Sequence, residues 1–295
     1  MQGDRPMLNT AGKHGANKRL RRVLSVLLKL CIAFIVFCAL LFVAQDSMIF
    51  HNVHDPQSRE FLRDRQGFHE IEFTAEDGIT RHGMMHRATD EMASLIIYFG
   101  GNGESSHRHM RGLEMQNLWR YYAGFHYLYI DYAGYGLNDG RPHYRNMQEG
   151  ALAVFDFALT LPYVDADRIV AMGFSLGTGS AVYLAANRPV AGLIIVAPYA
   201  NGYDLYNNVL PIFHGPMRLL VRQKFPSDQH APGVTCPVLL IASRGDEIIP
   251  FSSSERLGAM FYGDVNFVVL DNVRHNGIFG ARGVLDSIQR FLGTI

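Results

Sequence analysis

Residues 168–187 read RIVAMGFSLGTGSAVYLAAN, a short apolar run, a serine with glycine two places to either side, and then apolar residues at helical spacing. At ordinary Gly and Ser frequencies of roughly 7% each, a chain of this length shows G-x-S-x-G by accident about one time in ten, so the pentapeptide needs its context. Gly173-Phe174-Ser175-Leu176-Gly177 follows a strand and opens a helix. A turn that tight forces the serine backbone into a strained region, and side chains at positions 173 and 177 would collide as strand and helix converge. It lifts Ser175 Oγ above the carboxyl end of a sheet and aims the positive end of the helix dipole at the same point.

A serine hydroxyl is a weak nucleophile until an imidazole takes its proton, and the imidazole needs a carboxylate to orient it. On a sheet wound this way the chain order is serine, acid, histidine. The chain has 13 histidines, yet after Asp246 there is only His275, in DNVRHNGIF. Asp246 ends the run PVLLIASRGD, where a strand delivers a carboxylate to the same edge; Asp204, Asp228, Asp264, Asp271 and Glu247 are less well placed. Alone, Asp246 could be a helix cap and His275 a surface residue; in this order behind the serine turn they form a catalytic set of Ser175, Asp246 and His275. An oxyanion hole needs two N–H donors, assigned to the backbones of Leu176 and of Asn102 in Gly100-Gly101-Asn102-Gly103. A phosphate cradle fits poorly, since neither G-x-G-x-x-G nor a terminal Lys-Ser/Thr is present.

Outward from this motif, apolar runs at 94–101, 125–132, 168–175, 191–199, 237–244 and 266–272 predict buried strands. FHEIEFTA (68–75) and ITRHGMMHR (79–87) predict an opening hairpin about the turn EDG. Helical periodicity covers 144–161, 177–187, 252–262 and 282–293. The expectation is a mostly parallel eight-stranded sheet with helices on both faces, an α/β fold. Residues 200–232 break the rhythm and are read as a lid insertion rich in aromatics.

Residues 23–44, VLSVLLKLCIAFIVFCALLFVA, are apolar apart from Ser25 and Lys29 and match the ~20 residues a helix needs to cross a bilayer. A cleaved signal peptide is the weaker reading, because its apolar core is usually ~7–15 residues and Phe42 stands where a small residue is wanted. Lys13, Lys18, Arg19, Arg21 and Arg22 precede the span, against one arginine in the next fifteen residues. That asymmetry places the N-terminus in the cytoplasm and the body on the other side, periplasmic in a bacterium. The domain plan is a basic tail (1–22), an anchor (23–44), a connector (45–65) and a catalytic body (66–295).

Of the 295 residues, 48% are hydrophobic and 18% charged, which supports a large core. Basic and acidic residues balance at 27 each, removing any charge argument for a nucleic-acid partner. Cys31 and Cys38 fall in the apolar run, so Cys236 alone remains in the body and no disulfide framework arises. His107 with His109, and His82 with His86, lack a Cys or carboxylate at ligand spacing and read as solvated polar residues rather than metal ligands.

The chain resembles the α/β-hydrolase superfamily over about residues 48–295, and within it the single-span Bem-type α/β-hydrolase-domain proteins, which include depalmitoylases and lysophospholipid lipases. The resemblance is carried by MIFHNVHDP, YFGGNGES, IDYAGYGLNDGRP, GFSLGTGSA, PVLLIASRGDEIIPF and VVLDNVRHNGIF. It implies a serine hydrolase acting on carboxylic esters or thioesters without metal or organic cofactor, with Asp131 a scaffold position. The chain departs from the pattern at Gly100, where relatives carry His, at Asn138, where they carry Ser, and at Ala242-Ser243, where they carry His-Gly. Tethering beside a bilayer favours lipid-like acyl substrates. Competing readings are an aminopeptidase-like peptidase, which would need an acidic pair in the lid, and a binding protein on a retained hydrolase fold.

Overall fold

A computed structural model describes residues 10–51, 53 and 55–295. Residues 1–9 of the expected tail, and Asn52 and His54 of the MIFHNVHDP stretch, lie outside the described residues. The chain divides into two compact units, residues 1–45 and Asp46–Ile295.

The described residues of the first unit form helix α1, which runs Thr10–Ile49 and so ends within the second. Its Arg19–Ser47 portion, 29 residues containing an 18-residue window of mean hydropathy 3.0, is long and apolar enough to cross a membrane. At ~1.5 Å per residue it extends about 43 Å, against a hydrocarbon core of about 30 Å.

The second unit is an eight-stranded sheet in the order β1-β2-β4-β3-β5-β6-β7-β8. Its strands are β1 (Phe68–Thr74), β2 (Thr80–His86), β3 (Ala93–Phe99), β4 (Phe125–Ile130), β5 (Val164–Phe174), β6 (Gly192–Val196), β7 (Val238–Ser243) and β8 (Val265–Leu270). The expected hairpin is β1–β2, with Gly78 at φ +75° in its turn. β2 also meets β4 antiparallel, and the remaining pairings are parallel.

Strand alternation splits the core in two. Leu95, Ile97 and Phe99 of β3 face one hydrophobic layer, while Ile96 and Tyr98 face the other. The first layer is covered by α4 (Tyr144–Ala158) and α5 (Thr178–Asn187), the second by α3 (Ser106–Met115) and α9 (Val284–Leu292). Both faces are buried, so the central strands are continuous apolar runs.

Two stretches are more ordered than their composition implies. The expected connector already contains α2 (Pro56–Leu62), capped by Asp55, which accepts from the Ser58 N–H, and it buries Phe50 and Leu62. The expected lid, between β6 and β7, folds into α6 (Gly202–Val209), a 3-10 turn (Gly215–Leu220) and α7 (Ser227–His230). It packs Tyr206 and Phe213, ring centroids 5.3 Å apart, into the first layer. Helix α8 (Phe251–Gly258) follows β7.

Candidate active site

Strand β5 ends at Phe174, and Ser175 opens a 3-10 turn that leads into α5. Ser175 has φ +49°, left-handed backbone that a residue with a Cβ seldom adopts. Gly173 is there for the expected reason, the convergence of strand and helix, whereas Gly177 is confined by the end of β3. A Cβ on Gly177 would overlap the Phe99 carbonyl oxygen, and one on Gly173 would lie 2.8 Å from the Gly177 carbonyl oxygen. The turn is pinned by Thr178 Oγ1, which donates to the Ser175 carbonyl at 2.7 Å, and by the Tyr199 hydroxyl, which donates to the Leu176 carbonyl at 2.9 Å.

Ser175 Oγ lies 2.9 Å from His275 Nε2, and His275 Nδ1 lies 2.7 Å from Asp246 Oδ2. All three side chains are buried; Ser175 is only 6% exposed and His275 3%. Since a carboxylate only accepts, Nδ1 carries the proton and Nε2 is left as an acceptor for the serine hydroxyl. The other Asp246 oxygen accepts from the Ile248 and Ile249 N–H groups, each at 2.8 Å, which fixes the carboxylate in the loop after β7. His275 begins a 3-10 turn, and its N–H donates to Glu247 Oε2 at 3.1 Å. That bond holds the Glu247 carboxyl below its usual range. The Phe174 ring stacks on the imidazole at 5.1 Å.

The glycine-rich loop after β3 lies against the serine: a Cβ on Gly101 would stand 3.6 Å from Ser175 Cβ, and Asn102 follows it. Behind the loop sits a polar cluster without a local sequence signal. Glu104 Oε2 accepts from the Gly101 N–H at 2.8 Å and the Tyr98 hydroxyl at 3.1 Å, and Oε1 lies 3.8 Å from His109 Nδ1. Burial pushes the Glu104 carboxyl up, but the hydrogen bonds from His109, Gly101 and Tyr98 outweigh it and leave it below the ordinary range. At Gly100 a Cβ would overlap the Tyr129 hydroxyl, so this chain keeps that position bare.

The histidines read as solvated are packed instead. His107 is buried on α3, with Nε2 3.5 Å from Glu70 Oε1; His109 stacks on Tyr98 at 4.1 Å and meets the Tyr127 hydroxyl at 3.0 Å. His86 stacks on Trp119 at 3.9 Å, and His82 is half-buried. Asp131 accepts from both the N–H and the hydroxyl of Ser106, each at 2.7 Å, tying β4 to the start of α3. Of the lid acids, Asp204 pairs with Arg256 and Ser253, and Asp228 accepts from Asn201 Nδ2 at 2.7 Å.

An uncharacterized protein of Mycobacterium tuberculosis, Rv2307c, is 32% identical over 209 residues, spanning 70% of this chain and 72% of its own. The alpha/beta hydrolase domain-containing protein aho-3 of Caenorhabditis elegans is 27% identical over 191 residues, 63% of this chain and 56% of that one. Human protein ABHD12B is 25% identical over 182 residues, 55% of this chain and 48% of its own. The chain belongs to the α/β-hydrolase superfamily. The fold superposes on the 2,6-dihydroxy-pseudo-oxynicotine hydrolase with TM-score 0.65 at 18% identity, covering 80% of this chain and 70% of that one. The Pyrococcus furiosus esterase Pf2001 gives 0.63 at 16%, covering 83% and 98%. No family model matches the chain.

Proposed function

We propose that this α/β-hydrolase is a membrane-tethered serine hydrolase that cleaves carboxylic ester or thioester bonds in lipid-like acyl substrates. The observation that carries the reading is the continuous hydrogen-bonded path from Ser175 Oγ through His275 to Asp246. Esterases and hydrolases among the structural neighbours, and the hydrolase-domain name of aho-3, support the same reaction class.

In this reading Ser175 Oγ attacks the acyl carbonyl while its proton passes to His275 Nε2. Asp246 holds the Nδ1 proton and stabilises the imidazolium. The carbonyl oxygen becomes an oxyanion and takes hydrogen bonds from the Leu176 and Asn102 N–H groups. His275 then protonates the leaving alcohol or thiol, giving an acyl-Ser175 ester. Water, deprotonated by the same imidazole, attacks that ester and releases the carboxylic acid and free Ser175. No step calls for a metal or organic cofactor.

The lipid-like substrate class rests on the apolar Arg19–Ser47 helix, which as an anchor keeps the body beside a bilayer. The positive flank directs the N-terminus to the cytoplasm and the body to the opposite side. A peptidase would need two free lid carboxylates to grip an amine; Asp204 is committed to Arg256 and Ser253, while Asp228 accepts from Asn201 through Oδ2 and keeps a buried Oδ1 without a partner among the described residues.

Labelling with a fluorophosphonate tests the chemistry: the wild type is tagged at Ser175, and Ser175→Ala is not. Lack of tagging in the wild type refutes the hydrolase and leaves a binding role. Turnover of p-nitrophenyl esters of rising chain length tests the substrate class, and a sharp preference for acetyl removes the lipid-like assignment. A reporter fused after Ile295 that works only in the cytoplasm overturns the orientation.

A further inference from the structure

The loop that bears the Asn102 N–H reads Gly-Gly-Asn-Gly, with Gly103 at φ +76°, so only one side chain in it can hold it still. That side chain is fully engaged. Asn102 Oδ1 accepts from the His51 N–H and from the Tyr135 hydroxyl, both at 2.8 Å. Asn102 Nδ2 donates to the Ile49 carbonyl at 2.5 Å and to His51 Nδ1 at 2.7 Å. An amide has two acceptor sites and two donors, so its capacity is met, and the fixed donors and acceptors around it permit only one orientation.

Three of the four partners belong to Ile49 and His51, the chain that follows the apolar window ending at Ser47. This stretch is itself held down. The Asp46 carboxylate takes Gln223 Nε2 at 2.7 Å and Arg222 at 3.0 Å, Phe50 packs on Phe225, and the Gly136 N–H donates to the Val53 carbonyl at 3.3 Å. Burial pushes the Tyr135 hydroxyl pKa up, which keeps it a donor. On the other side of the loop the Glu104 N–H donates to the Gly101 carbonyl at 3.3 Å. The Gly101–Asn102 peptide is therefore held at its carbonyl by Glu104 and at its far end by the Asn102 side chain.

We infer that residues 49–53 are a positioning element of the active site: through the Asn102 carboxamide, the chain leaving the anchor sets the direction of the oxyanion-donating Asn102 N–H. The inference rests on the serine-hydrolase reading and adds to it a dependence of turnover on the juxtamembrane chain. Without the clamp the glycines leave the donor free to swing, and transition-state stabilisation is lost while ground-state binding is kept.

The test uses the full-length protein in detergent or vesicles, with a p-nitrophenyl ester. Asn102→Ala is expected to lower kcat about tenfold to a hundredfold, a fraction of what losing an oxyanion donor outright costs. His51→Ala and Tyr135→Phe, each removing one bond, are expected to lower it about three- to tenfold. KM and Tm stay at wild-type values, and the double variant His51→Ala/Asn102→Ala is no slower than Asn102→Ala, because both act through one side chain. Single variants that keep kcat within about twofold, or a double variant whose losses multiply, overturn the inference. So does a loss matched by a raised KM or a lowered Tm, which marks a merely structural role. Wild-type turnover is measured first: its absence sinks the hydrolase reading and this inference together, whereas normal turnover with unaffected variants sinks this inference alone.

Discussion

Ser243 Oγ donates to the Val273 carbonyl at 2.6 Å and accepts from the Gly245 N–H at 3.1 Å, so one hydroxyl ties the loop carrying Asp246 to the loop carrying His275. The two loops follow neighbouring parallel strands, β7 and β8, and this tether sets their spacing where the 2.7 Å Asp–His bond must form. Ser243→Ala is expected to lower kcat roughly tenfold with little change in KM, since a small misplacement of an acid–base pair is costly to turnover. Steady-state kinetics check it, and an unchanged kcat refutes the tether.

Asp246→Asn keeps the shape and removes the charge. A carboxamide can present its NH2 to Nδ1, which stabilises the wrong imidazole tautomer and leaves Nε2 protonated and unable to take the serine proton. The expected loss in kcat is about 10⁴-fold with the fold retained. A loss below about tenfold would remove Asp246 from the reaction.

At the serine turn, Gly177→Ala is expected to cost at least about 3 kcal/mol, because the new methyl overlaps backbone that cannot step aside. Gly263→Ala is the matched control, with nothing within 4 Å of the added carbon. Chemical denaturation of the two variants should separate them clearly; equal stabilities would contradict the close approach.

Burial against Phe68 and Trp119 pushes the His86 imidazole down to about 4, well below its ordinary value. The unfolded chain therefore binds more protons between those two values. Stability from this site is complete above about pH 6.5, declines as pH falls toward 4 and then levels off. With partial exposure discounted, the contribution is on the order of 1–2 kcal/mol. His86→Phe should flatten that acid limb, read as the Tm difference between pH 7.5 and 4.5; an identical difference in both proteins refutes it.

The strands were legible because apolar runs are local signals, whereas Ser175, Asp246 and His275, up to 100 positions apart, were read from the serine turn and from chain order. SLIIYF is a short apolar run of strand length, and Gly173 answers a steric demand within its own turn, but the demand on Gly177 comes from the Phe99 and Gly100 carbonyls at the end of β3. Helix α3 was not legible: Ser-His-Arg-His looks solvated, and its histidines find their place only through Tyr98, Tyr127 and Glu70 on the sheet. The His51–Asn102 bonds and the Ser243 tether join residues 51 and 30 positions apart, and no periodicity or motif encodes such a pairing. The same holds for Glu104, whose acidic side chain resembles any loop carboxylate until the Gly101 N–H is seen to point at it.

The overlap between a Cβ at position 100 and the Tyr129 hydroxyl makes those two positions mutually exclusive in size. Gly100→His as a single exchange would drive the new side chain into the Tyr129 phenol, and it could be accommodated only if residue 129 were reduced as well. A larger residue at position 100 therefore requires a smaller one at position 129, and the two are coupled in size across the β4 edge of the loop.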